Sequence, residues 1–386
     1  KARGETGELK KKLNRAEPEL ETLKEKISKA EEETIKLKKE LDKTEIDSRT
    51  LKDDCDKAKA KIAELETNLD KAKSEIEIFA LAKIIDNVDL TENKKPCDFI
   101  DDEIRHNKKP ILPGSNGIYY TLESILGLGA TAHVYQGRQS NNNKKVAIKI
   151  LSLYNMNNDR QSYLRFFSES DTGLTLKHDN LSQCIDYLQF KYFAYSVMEF
   201  VDGQTLEEMI QNQVISPNTI RKVILQVAQA LDYLHNLEII HRDIKPANIK
   251  VFEQGSTLIV KLMDLGIAYD INMCCNLTDP SELVGTPYYM APEILFNGVK
   301  GDERSDIYSL GIVYYQTIMR KLPFSYRNIM ELKADIKKNK NGLLANSTDN
   351  DDHKIICKMT NMDPKKRYQN IKELINILTP IIIPKN

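Results

Sequence analysis

The chain has 386 residues with 56 basic and 57 acidic side chains, a balance that excludes the global basic field expected of a nucleic-acid binder. No apolar run approaches the roughly 20 residues of a membrane span, so neither nucleic acid nor a bilayer is an expected partner. The six cysteines, Cys55, Cys97, Cys184, Cys274, Cys275 and Cys357, lack zinc-ligand or disulfide-framework spacing, which points to a reducing, cytoplasmic compartment.

The first predicted element is a long helix. From residue 9 to residue 83 the core positions alternate by four and three, through Leu9, Leu13, Ala16, Leu20, Leu23 and Ile27 onward, the signature of a heptad coiled coil. Pro18 faces outward and suits the first turn of the continuous helix. In a parallel, in-register pair, Lys26 would face Glu31, Glu33 would face Lys38 and Lys61 would face Glu66, all attractive; only Glu40 and Glu45 repel. A homodimer through this helix is therefore expected, weakened in the middle by Thr34, Thr44, Ser48 and Cys55, with a single solvated helix as the alternative. Residues 84–117 carry Asn-Lys-Lys-Pro and Pro-Gly-Ser-Asn-Gly stretches and read as a linker. The first residue is Lys rather than Met, so the chain is expected to be part of a longer one.

From residue 118 to 379 the pattern changes to that of a mixed α and β domain. Two alternating strands flank Leu126-Gly127-Leu128-Gly129-Ala130-Thr131-Ala132-His133-Val134, and a third strand ends in Lys145-Val146-Ala147-Ile148-Lys149. A helical stretch around Arg165–Glu169 precedes His178-Asp179-Asn180-Leu181, and Gly173 inside it costs about 1 kcal/mol of helix stability. Then follow Met198-Glu199-Phe200-Val201-Asp202-Gly203, Ile239-Ile240-His241-Arg242-Asp243-Ile244-Lys245-Pro246-Ala247-Asn248 and Lys261-Leu262-Met263-Asp264-Leu265-Gly266. Gly285-Thr286-Pro287-Tyr288-Tyr289-Met290-Ala291-Pro292-Glu293, Asp306-Ile307-Tyr308-Ser309-Leu310-Gly311 and Met362-Asp363-Pro364-Lys365-Lys366-Arg367-Tyr368 close the series.

In order and spacing these segments resemble the protein kinases, specifically the eukaryotic-like serine/threonine kinases, and the His-Arg-Asp loop followed by Asn248 is the most specific of them. Phosphoryl transfer asks for positioning and charge neutralisation more than covalent chemistry. The resemblance implies an α+β, bilobal kinase fold behind a coiled-coil helix, with ATP and Mg2+ as cofactors and a protein hydroxyl as substrate. It assigns Asp243 to the substrate hydroxyl and Lys245 to the transferring phosphoryl, with Asn248 and Asp264 holding the metal. It assigns ATP binding to Leu126, Gly127, Gly129, Val134, Ala147, Lys149, Glu199 and Val201, with Glu169 holding Lys149. Arg242 would receive a phosphate on the activation segment, at Thr278 first and Ser281 second, while Thr286 would contact the catalytic loop. Asp306 would accept backbone hydrogen bonds from that loop, and Glu293 would pair with Arg367. Departures from the pattern are Ala132 for the third glycine, Leu265 for phenylalanine and Lys250 beneath the adenine. The alternative reading is a pseudokinase scaffold or coiled-coil adaptor.

Overall fold

The computed structural model describes residues 21–39, 57, 59–68, 96–129, 132–152, 166, 170–189, 193–212, 214–264, 287–324, 328–346 and 350–382. It divides into two units, Lys1–Val146 and Ala147–Asn386.

In the first unit, residues 21–39 (α1) and 59–68 (α2) are helical, as Lys- and Glu-rich stretches without interior Gly or Pro should be. They do not form one rod. Lys38 Nζ lies 2.5 Å from Glu66 Oε1, whereas 28 positions of continuous helix would separate them by about 42 Å. The helix expected over 9–83 therefore does not run unbroken from Lys38 to Glu66, and Lys38 meets Glu66 of its own chain. The physical reason is that a heptad pattern specifies an apolar seam without specifying which chain supplies its other half. Thr34 and Ile62 are both buried, and the Thr34 hydroxyl is satisfied by donating to Ala30 O at 2.7 Å. Thr44, Ser48, Cys55 and the ends of the 9–83 stretch lie outside the described residues.

The stretch expected as linker carries a helix, a strand and a 3-10 turn (Ser115–Gly117) among its described residues. Helix α3 (Pro96–Arg105) has Pro96 in its first turn, with Asp98 near its start and Arg105 near its end to complement the helix dipole. It buries Cys97, Ile100 and Asp101 and packs against β2 (Tyr119–Leu128). Strand β1 (Ile111–Pro113) pairs antiparallel with β2, Ile111 opposite Thr121, and buries Leu112 completely. Pro110, Pro113 and Gly114 read as turn residues, and a three-residue strand between them leaves no period-2 signal to detect.

Strand β2 runs antiparallel to β3 (Ala132–Gln139), with Gly127 opposite Val134 and Leu128 opposite His133. The turn between them closes with Gly129 N donating to Ala132 O at 3.0 Å. A Cβ on Gly129 would sit 2.7 Å from that carbonyl oxygen, so the turn needs glycine, whereas one on Gly127 would meet nothing within 4 Å. Strand β4 (Lys145–Ser152) spans the division between the units.

The second unit continues with the described helical residues 170–175 (α4) and the antiparallel pair β5 (Cys184–Gln189) and β6 (Phe193–Glu199). Gly173 is explained by packing: a Cβ there would come 2.9 Å from Cys184 Cβ. A second sheet, β7 (Gln204–Thr205), β8 (Ile249–Gln254) and β9 (Thr257–Leu262), has the order β7-β8-β9. The remaining α-helices among the described residues are α5 (Leu206–Asn212), α6 (Pro217–Asn236), α7 (Pro292–Asn297), α8 (Glu303–Met319), α9 (Ile329–Lys338), α10 (Asp351–Met359) and α11 (Ile371–Ile382).

Helix α6 begins with a Ser216 side-chain cap on Thr219 N and Pro217 in its first turn, and it buries Ile220, Val223, Ile224, Val227, Leu231 and Leu234. That spacing is one face of a 3.6-residue helix. Helix α8 is buried nearly all round, from Ser305 to Thr317, as expected of a helix at the centre of a core rather than on its surface. Its start is capped by Asp302, whose side chain accepts from Arg304 N. The buried central helix is what carries Asp306 to the backbone of His241 and Arg242.

Candidate active site

The loop 241–248 runs between α6 and β8, and α8 supports it from beneath. Asp306 is fully buried and accepts three hydrogen bonds, from His241 N at 2.8 Å, Arg242 N at 2.9 Å and His235 Nε2 at 2.9 Å. Arg242 has φ +66°, a conformation that non-glycine residues hold only when their surroundings enforce it; the Asp306 carboxylate on its amide is that enforcement. His241 is fully buried, and burial lowers its pKa from the ordinary value. It is therefore a neutral imidazole, whose Nδ1 accepts from Asp243 N at 3.3 Å.

Above this support, Asp243 Oδ2 accepts from Lys245 Nζ at 2.8 Å and from Asn248 Nδ2 at 2.9 Å. Asn248 Nδ2 also donates to the Asp243 carbonyl at 2.9 Å. Asp243 Oδ1 is buried and makes no hydrogen bond among the described residues. One carboxylate oxygen is thus held by a cation and an amide, and the other is left as an acceptor.

Asp264 follows β9 with φ +51°, and its Oδ1 lies 3.3 Å from Lys149 Nζ. The Lys149 ammonium holds the Asp264 carboxyl below its ordinary pKa against the opposing effect of burial. Met263 N donates to Asn248 O at 2.8 Å, so the segments that carry Asn248 and Asp264 are tied by their backbones. Both residues offer hard oxygen donors, the kind a magnesium ion takes.

Elsewhere, Glu293 and Arg367 form a two-pronged ion pair at 2.8 and 2.7 Å. Arg367 is buried and also donates to Asn361 O and Arg304 O. Ala147 and Val201 are buried, and Leu126 is half exposed. Leu126, Gly127, Gly129 and Val134 all belong to the β2–β3 hairpin of the first unit. The structure thus brings Asp243, Lys245 and Asn248 together, Lys149 to Asp264, and Asp306 beneath the loop. Glu169, Thr278, Ser281 and Thr286 lie outside the described residues.

Two contacts were not legible in the motifs. Lys261 Nζ donates to Glu199 Oε2 at 2.9 Å and to Leu181 O at 3.3 Å, tying β9 to the end of β6 three residues before Asp264. Lys250 Nζ donates to Gly203 O at 2.9 Å, so its ammonium reaches a backbone carbonyl while its stem stays on β8. The alternation of β9 marks Lys261 as a strand residue, but nothing local names its partner.

Residues 120–377 match the family model of the protein kinase domain. The serine/threonine-protein kinase PknB of Mycobacterium tuberculosis is 33% identical over 269 residues, 66% of this chain and 41% of that protein. The serine/threonine-protein kinase PrkC of Bacillus subtilis is 31% identical over 263 residues, 66% of this chain and 39% of that protein. The chain therefore spans about two fifths of the length of these relatives. Among solved structures, Rad53 1–466 in complex with AMP-PNP is similar with a TM-score of 0.54 and 25% identity, over 71% of this chain and 65% of that one.

Proposed function

The chain belongs to the protein kinase domain family, and on that premise we propose that it is a serine/threonine protein kinase transferring the γ-phosphoryl of ATP to protein hydroxyls. The observation that carries this reading is the Asp243 carboxylate, with Oδ2 held by Lys245 and Asn248 and Oδ1 buried without a partner among the described residues. Oδ1 orients the substrate hydroxyl and takes its proton as the oxygen attacks. Lys245, a fixed cation beside that acceptor, offsets charge on the phosphoryl in flight. Lys149 neutralises the phosphates of the bound nucleotide. Asn248 and Asp264 would hold magnesium, which when bound neutralises phosphate charge. Asp306 keeps the loop in the conformation that presents these groups, and Val201 offers backbone groups to the adenine.

Regulation and assembly belong to the same reading. Phosphorylation of Thr278, or secondarily Ser281, supplies a dianion for Arg242 to receive. The heptad seam is the surface by which two copies pair.

Asp243→Asn tests the reading, because it keeps the size and the contact with Lys245 but removes the base. Transfer to a protein substrate is expected to fall by a factor on the order of 10² to 10⁴ with ATP affinity nearly intact. Asp264→Asn should instead lose the magnesium-dependent part of ATP affinity. Wild-type transfer rates in either variant would sink the assignment.

A further inference from the structure

Helix α3 and strand β3 converge on one buried carboxylate. Asp101, only 3% exposed, accepts from the Tyr135 hydroxyl at 2.7 Å through Oδ1 and contacts His133 Nδ1 at 3.0 Å through Oδ2. Tyr135 is itself fully buried, and burial followed by the Asp101 hydrogen bond pushes its phenol well above the ordinary value, so it remains a donor. A third side chain, Asp98, lies one helical turn before Asp101 and within 4.8 Å of both Asp101 and His133.

His133 and Tyr135 are two apart on β3 and so share one face, opposite that of Val134. His133 is paired with Leu128 across the hairpin, beside the tight turn that Gly129 closes on Ala132. The carboxylate thus grips the back of β3 at the point where the strand leaves the glycine turn. A carboxylate is taken out of water at a cost of several kcal/mol unless its hydrogen bonds are made. The seating of α3 and the position of β3 are thereby coupled, because neither can shift without stranding Asp101.

We propose that Asp101 is a positioning residue for the glycine-turn hairpin, through which a helix preceding the catalytic domain sets the placement of the loop that covers the ATP phosphates. The inference rests on the kinase reading for the loop's role. It makes α3 a working part of the nucleotide site, and it gives any event that lifts α3 a direct effect on ATP binding rather than on the phosphoryl-transfer step.

The test uses the full chain, with steady-state transfer to a protein substrate at varied ATP. Asp101→Asn should raise the KM for ATP about tenfold while leaving kcat within about twofold. Tyr135→Phe, which removes one hydroxyl and no packing volume, should raise it about threefold, and the double variant should show less than the product of the two effects. Amide hydrogen exchange over residues 126–134 should quicken in Asp101→Asn with no nucleotide present. If wild type transfers no phosphoryl, the kinase reading fails, while the exchange measurement still decides whether Asp101 holds the hairpin. An unchanged KM for ATP in folded Asp101→Asn overturns the proposal, as does a parallel loss of kcat and affinity for both substrates. So does zinc alone raising the melting temperature of wild type but not of Asp98→Asn, since the carboxylates would then serve a cation.

Discussion

Tyr289 donates its hydroxyl to Gln316 Oε1 at 2.7 Å, and this bond occupies a side chain on α8 where kinases selective for basic substrates carry a carboxylate. The corresponding position on the catalytic loop is Ala247. With neutral residues in these two places, neither supplies a charge to an arginine ahead of the target hydroxyl. A positional-scanning peptide library is expected to show no more than about a threefold preference for upstream arginine, the scale of an exposed ion pair. Gln316→Glu should increase that preference, and dominance by upstream arginine in the wild type would contradict the argument. At this scale the sequence was most legible where function is local. Asp243, Lys245 and Asn248 meet because they lie within six consecutive residues of one loop, whereas Lys261 and Glu199 are 62 positions apart and meet only because β9 and β6 are brought together.

Helix α10 is fastened to α6 by a buried carboxylate of the same kind. Asp352 accepts from Arg221 Nε and Nη2, both at 2.8 Å, and from the Tyr314 hydroxyl on α8. Burial would raise the Asp352 pKa, but hydrogen bonds from Arg221 and Tyr314 together with the Arg221 charge outweigh it and the net shift is downward. A depressed carboxyl contributes stability that is fully present above the ordinary carboxylate value and is lost as pH falls through the folded one. Asp352→Asn is therefore expected to cost about 3 kcal/mol at neutral pH, the scale of breaking a buried pair. Urea unfolding should show the gap to wild type closing on acidification to below about pH 4; a gap that is constant with pH would mean that the carboxylate charge contributes nothing. The buried face of α6 follows helical spacing. The short β1 and α3 were read as linker, because their turn-forming flanks and brief length look like one.

For the chain as a whole, the heptad seam makes the assembly state a direct test of the proposed pairing. Replacing Lys38 and Glu66 by cysteine should give, on oxidation, a disulfide that leaves the chain at monomer mass on a denaturing gel. Sedimentation of the unoxidised protein should nonetheless show a dimer if two copies pair. A product of doubled mass would restore the two-chain helix that the heptads first suggested. Autophosphorylation offers an independent readout, since chains held together reach an effective concentration of roughly millimolar. The rate per enzyme should then be insensitive to dilution, and Thr278→Ala should lower it. Among the described residues, no helix is long and apolar enough to cross a membrane. The sequence by itself determined the family and the loop that holds Asp243, Lys245 and Asn248 together, because both rest on motifs whose residues are close along the chain. Tertiary structure alone decided that Lys38 meets Glu66, that Lys149 Nζ lies on Asp264, and that α3 closes on His133 and Tyr135. Those pairings depend on which apolar faces are buried together, and a one-dimensional pattern states that a face is apolar without stating what covers it.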